Sequence, residues 1–501
     1  MDTGTPTTQS PDGHAEFQQA CNLFHENKYS EAEALFQRAL AHGGSNINEK
    51  HNVKAWIGKA LQAQGRFLEA ERVFRQQADA FERMFGKSYL HTLSNKTSLG
   101  ILLCEQGRFR ESERLLQQVV SSGKSPYNLS GNEALGAKFW LGRALYGQRK
   151  NASAEAVFRK LVDESVKMLG RDHKDTLNGK YWLGRVLSRQ RKNEEAEGLL
   201  QSVVQETRLS RDDEIKTQSR FWLGLTLYQM QKYAEAEALL LQALEGQERT
   251  IGGDHKETLI TKYRLGLVLH HQGRDESAEV LLQEAVEGQE SALGRDDKDT
   301  LSSKQWLAIT LYRQKRHREA ELLLLQVVEG EERTLGEDHK STLYTKYWLG
   351  ISLYEQEKYG EAEVLLLQAI EAQERTLGRD DKDVYNSKKW LGVALYKQKK
   401  YAEAEVVLLE VAEWDERTLG GDDKGTLYTK YWLGLVLYEQ QKYREAEVLL
   451  LQAVAGQEGT LGKDHKDTLN SKKSLGVVRG KRHREDLKDT LNVKKWLGHR
   501  R

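Results

Sequence analysis

The dipeptide Leu-Gly, or a close variant, returns along this chain at a fixed interval. Its small residue is Gly58, Gly100, Gly142, Gly184, Gly224, Gly266, Ala308, Gly350, Gly392, Gly434 and Gly476, and every step is 42 residues except one of 40, between Gly184 and Gly224. Self-similarity at such a period means stacked units, each burying its apolar face only against its neighbours. Thr342–Ile370 matches Thr426–Val454 at 24 of 29 positions, two periods away. TKY before Gly266, Gly350 and Gly434 alternates with SKx before Ala308, Gly392 and Gly476, so a two-repeat unit was duplicated.

Each period predicts two helices. Only Pro6, Pro11 and Pro126 are present, leaving the 375 residues from Tyr127 to Arg501 without a helix breaker. Thr345–Gln356 is followed by a polar break at Glu357–Tyr359 and then by Gly360–Gly378. In the second segment Ala362, Leu365, Leu366, Ala369 and Ile370 share one helical face. The first segment is apolar round most of its circumference, so it should be contacted on several sides. Between pairs runs Leu-Gly-x-Asp-(His/Asp)-Lys-x. Gly378 suits a left-handed C-cap, and the aspartate two residues later an N-cap with an acid three residues on: Asp254–Glu257, Asp380–Asp383, Asp464–Asp467.

Composition narrows the function classes. Lys+Arg 76 against Asp+Glu 75 gives a net charge of +1, so no overall field draws nucleic acid or an anionic membrane. No apolar run approaches the roughly 20 residues of a spanning helix. The opening MDTGTPTTQSPDGH has no signal-peptide pattern. Two cysteines, Cys21 and Cys104, exclude a disulfide framework and point to a reducing, cytoplasmic setting.

The small residues carry a resemblance. Gly350, Ala362 and Ala369 stand where small residues recur eight, twenty and twenty-seven places into a tetratricopeptide helix pair, as do Gly434, Ala446 and Ala453. The middle alanine recurs from Ala32 to Ala446 with Ser112 as the one exception. The 42-residue period and the LG-x-D-H loop resemble the kinesin-light-chain variety of this family, over roughly residues 14–498. The resemblance implies an all-α, right-handed superhelical solenoid of about eleven helix pairs. It implies a protein-interaction scaffold holding a peptide or helix in a concave groove lined by first helices. Kinesin light chains carry heptads before their repeats, and only about fourteen polar residues precede the first helix here. The asparagines with which they grip peptide are replaced by Tyr347 and Trp348, Tyr431 and Trp432, or Lys389 and Trp390. The alternative is the sensor portion of a multidomain, NB-ARC-like signalling NTPase, whose arrays look similar.

Sites of chemistry are scarce. Gly86–Lys87–Ser88 and Gly123–Lys124–Ser125 lack the earlier glycine of a phosphate loop, with Phe81 and Gln118 in its place. Asp-His pairs such as Asp254–His255 offer two ligands where zinc takes three or four, and the histidine is elsewhere aspartate, so capping accounts for them better. No catalytic residue, cofactor or metal is expected.

Two ladders are candidates for partner binding. Nine of the ten tryptophans sit two residues before the repeat's small residue, among them Trp182, Trp222, Trp348, Trp390 and Trp432, often behind a tyrosine such as Tyr181, Tyr347 or Tyr431. Such rings either line a groove or pack as core against the next first helix, and one ring can do both. Four residues before the same glycine the chain is always basic, including Lys346, Lys388 and Lys430. These lysines attract acidic partners or pair locally with glutamates ending the second helices, such as Glu329, Glu371 and Glu374; local pairing is the stronger reading. A glutamate ladder from Glu33 to Glu447 runs beside them.

Three segments are expected: 1–13 disordered, 14–476 the array, and 477–501 a degenerate, basic partial repeat, an imperfect cap that either leaves the last apolar face exposed or lets the chain self-associate through it.

Overall fold

The computed structural model describes residues 11–42, 47–122, 131–211 and 213–498. Among them are twenty-three helices and no strand, arranged as eleven helical hairpins and a terminal helix. Residues 1–10 of the expected disordered segment lie outside the described residues. The first helix, Pro11–His25, opens on a proline, whose missing N–H costs nothing at that position.

The chain forms two compact units, Met1–Thr250 and Ile251–Arg501. Within each, every helix packs on the next, and first helices also touch the next first helix: Lys174–Arg189 on Glu214–Gln229, and Lys340–Glu355 on Lys382–Lys397. The repeated small residues explain this stacking. A Cβ on Gly350 would lie 2.9 Å from Leu366 Cγ, one on Gly142 2.6 Å from the Phe158 ring, and one on Gly392 2.5 Å from Leu408 Cγ. The second helix of each pair therefore seats a large side chain directly on first-helix backbone. Ala362, Leu366 and Ala369 are fully buried at that contact.

The loops between pairs correct two expectations. Gly378 has φ 95 and ψ 156, and Gly170 φ 96 and ψ 165. This is not the left-handed helical conformation but an extended mirror-image one, essentially closed to side chains. The N-cap is also one residue later than expected. His255 and Asp381, not Asp254 and Asp380, have extended backbone and accept from the amides of Glu257 at 3.2 Å and Asp383 at 2.8 Å. An imidazole Nδ1 and a carboxylate oxygen serve alike, which is why His and Asp interchange there. The preceding aspartate instead reaches 37 residues onward to an arginine: Asp296 to Arg333 at 2.9 Å, Asp338 to Arg375, Asp380 to Arg417 at 3.2 Å.

The glutamate ladder has its own partners. Glu363 meets Lys400 at 2.8 Å and accepts from Gln398 at 2.7 Å; Glu321 meets Lys358 and Gln356 in the same way. The basic residue lies just before the next second helix, so these bridges tie consecutive pairs. Burial alone would raise the Glu363 carboxyl, but Lys400 and Gln398 hold it below the usual range. Glu155 is pushed down to about 2, chiefly by Lys192.

The C-terminus forms one continuous 33-residue helix, Lys466–Gly498, running through the boundary expected at 476/477. Arg479 and Arg482 reach Glu447 at 2.9 and 2.6 Å, so part of the basic run is used within the array. Side chains from 489 onward, Trp496 among them, lie outside the described residues.

Candidate partner-binding face

The tryptophans stand on first helices because the Leu-Gly glycine fixes helix phase: two residues before it, a ring points toward the neighbouring first helix. In the second unit Trp348 meets Tyr312 at 5.4 Å, Trp390 meets Tyr354 at 5.3 Å and Trp432 meets Tyr396 at 5.4 Å, all edge-on. Each tyrosine lies 36 residues earlier, on the preceding first helix. Tyr347 and Tyr431 add contacts of 5.7 and 5.5 Å to the tryptophans that follow them. All five of these candidates, Tyr347, Trp348, Trp390, Tyr431 and Trp432, are half-buried. Core and groove are thus not exclusive: each ring packs on its neighbours, Tyr344 and Tyr428 among them, and keeps part of its surface exposed. Burial first, then Glu355, raises the Tyr312 hydroxyl, which donates to that carboxylate at 3.4 Å. Burial pushes Tyr396 and Tyr428 up to about 12. These hydroxyls are donors throughout the physiological range.

The first unit builds the same face differently. Trp182 packs among Phe139, Tyr146 and Phe158 at 5.7–6.2 Å, and Tyr181 beside it is buried. Arg185 lies 4.6 Å from the Trp182 ring and 4.7 Å from the Trp222 ring, donating to Tyr146 Oη at 3.1 Å and Tyr181 Oη at 3.3 Å. Arg143 covers Trp140 at 4.2 Å and Trp182 at 4.9 Å. Cations interleaved with half-buried rings are attracted by the ring faces. Trp222, also half-buried, has Phe221 at 5.8 Å.

The lysine ladder pairs locally. Lys346 pairs with Glu332 at 2.7 Å, Lys388 with Glu374 and Glu410 at 2.7 Å each, and Lys430 with Glu416 at 3.3 Å. Burial alone would lower the Lys388 ammonium, but its two glutamates raise it. Of the three glutamates expected as partners, Glu374 is one, while Glu329 and Glu371 face outward.

Reasoning from sequence missed two sets of residues. One is the ring or arginine four residues or one residue after the Leu-Gly glycine, Tyr312, Tyr354, Arg143 and Arg185; the 42-residue spacing marks them. The other is a buried polar row on the second helices. Glu331 accepts from Thr345 at 2.6 Å, and Asp415 from Thr429 at 2.7 Å beside Lys389 at 2.9 Å. Other repeats carry glutamine there, Gln289 and Gln373. Trp414, the tryptophan out of phase, stacks on Tyr385 at 4.4 Å. Among the described residues no three His, Cys, Asp or Glu side chains converge as metal ligands, and no helix is long and apolar enough to cross a membrane.

Stacked helical hairpins with a periodic aromatic face define a helical-repeat protein. Tetratricopeptide repeat models match residues 49–124, 214–291, 299–375 and 383–458, and a second set matches 97–165 and 347–417. These cover more than half of the chain, which belongs to the tetratricopeptide repeat family. Similar solved structures include a protein of Podosopora anserina described as a kinesin light chain with nearly identical TPR-like repeats (25% identity, 42% of this chain, 99% of that one, TM-score 0.38). They also include BtubC (BKLC) of P. vanneervenii (15%, 47% and 92%, 0.39) and the apo form of RapI (11%, 62% and 99%, 0.41). Among curated proteins none matches the sequence.

Proposed function

We propose that this chain is a non-catalytic scaffold that holds a partner's peptide or helix against the aromatic face of its first helices. The observation that carries this reading is the half-burial of Trp348, Trp390 and Trp432, each anchored on the preceding first helix's tyrosine and still partly exposed. Large rings fixed by packing bind with little loss of side-chain freedom, and several modest contacts sum along an array. The lysines at 346, 388 and 430 hold the rings' helices in place. In this reading the chain works in the cytoplasm, where Cys21 and Cys104 stay reduced.

The test is a Trp348→Ala/Trp390→Ala/Trp432→Ala variant, checked for helicity by circular dichroism and used as bait beside the native chain in the source cell's lysate. Loss of specific partners from a folded variant supports the aromatic face. A folded variant that keeps every partner overturns it.

A further inference from the structure

The outward side of the second helices in the second unit is not the charged surface that a solvated face requires. Val280, Leu322, Val364, Val406 and Val448 recur at 42-residue steps and are each 53–69% exposed. A second row one turn on runs from Leu325 to Leu451, 39–48% exposed. Together they leave on the order of several hundred Å² of contiguous aliphatic surface, more than scattered exposed residues need explaining. Packing does not require it: the corresponding positions in the first unit are Arg72, Arg114, Ala156, Gly198 and Ala238 in one row and Arg75, Gln117, Arg159, Gln201 and Leu241 in the other, so only Leu241, at the end of that unit, repeats the exposed leucine.

The borders of this band select its occupant. Three residues before the valine row stand Glu361, Glu403 and Glu445; past the leucine row stand Glu329, Glu371 and Glu413. All six are exposed, and among the described residues only Arg333, beside Glu329, and Lys400, beside Glu403, act on any of them electrostatically. Between Tyr401–Thr418 and Tyr443–Thr460 the band dips into a groove of about 410 Å³, walled by Leu409, Leu433 and Val448, with Glu413, Glu445 and Lys430, itself paired to Glu416, on its lining. An aliphatic band between two exposed acidic rows repels a second copy of itself and matches an apolar stripe edged with lysine or arginine. We propose that this face docks a cationic amphipathic segment of a partner protein, independently of the aromatic face.

The test uses a fluorescent helix-forming peptide of leucine and lysine in heptads, and its leucine–glutamate counterpart, titrated against the full chain by anisotropy. The lysine peptide binds, more weakly as salt rises, and the glutamate peptide does not. Val364→Gln/Val406→Gln and Glu361→Gln/Glu403→Gln/Glu371→Gln each weaken binding by about tenfold with unchanged circular dichroism. The Trp348/Trp390/Trp432 variant binds the peptide as the native chain does, so this surface and the aromatic face fail or succeed separately. Equal binding of both peptides, no binding, or unaltered affinity in both sets of variants overturns the proposal. So does sedimentation showing a native dimer that Val364→Gln/Val406→Gln dissolves, because a second copy then covers the band.

Discussion

The two units share a backbone plan and differ in the surfaces they carry. After the repeat's small residue the first unit mixes Lys59, Arg143 and Arg185 with Ile101 and Leu225, whereas the second carries only aliphatic residues, among them Ile309, Ile351 and Val393. Where the first unit turns Arg72, Arg75 and Arg159 outward on its second helices, the second turns out valine and leucine. The positions that make the fold do not differ in this way. Gly142 and Gly392 both seat a large side chain of the paired helix, and Glu155 and Glu363 both bridge to a lysine 37 residues on. A repeat whose packing is met by a few small and a few charged residues leaves the other positions free to specialise, unit by unit.

The largest test of that division is steric. Gly142→Val and Gly392→Val force a branched side chain into Phe158 and Leu408, and both should cost roughly 2–3 kcal/mol. Hydrogen exchange read by mass spectrometry should show loosening confined to the altered unit in each case. A large loss in only one unit would mean that the packing plans differ after all.

Acid should separate the units next. His270, buried beside Arg313 and His271 in the second unit, is lowered to about 4 from 6.5, burial being the main cause. A folded-state pKa below the unfolded one means its contribution is complete above pH 6.5 and is lost as pH falls toward 4. Glu155 in the first unit, lowered from 4.5 to about 2, keeps its contribution until pH drops below 4.5. Melting followed from pH 7 to pH 3 should therefore show the second unit weakening first. His270→Tyr, which installs the residue found at the equivalent Tyr312 and Tyr354, should remove the part between pH 6.5 and 4.

Smaller effects sharpen the contrast. Arg185→Met takes a guanidinium from between Trp182 and Trp222 and should cost about 1 kcal/mol with a shift in tryptophan emission, while the aliphatic Val393 offers no comparable loss on truncation to Ala beyond its own methyl groups. The turns within pairs vary inside each unit: Gly65 has φ 76 and Arg149 φ 62 in the first, Gly273 φ 78 and Glu357 φ 65 in the second. Glu357→Gly should stabilise by up to about 1 kcal/mol and Gly65→Ala destabilise by a similar amount, measured as shifts in melting temperature.

Much of the architecture was legible before any coordinates. Period, helix pairs, the close approach at Gly350 and Ala362, and the phase of the tryptophans follow from local helical geometry and from repetition, which together place every residue on a face. What followed less well was anything decided between stacked hairpins. The N-cap moved from Asp254 to His255 because the glycine before it adopts an extended positive-φ conformation, which composition does not reveal. Glu363 chose Lys400 rather than the lysine ladder, and Asp380 chose Arg417, because partners 37 residues apart meet only once one pair is laid on the next. The rings proved half-buried because exposure depends on how far the neighbouring first helix covers them. The valine and leucine rows read as ordinary helix residues until the structure showed no neighbour over them. Helical periodicity sets which way a side chain points; only the stacking of hairpins decides what, if anything, it meets there.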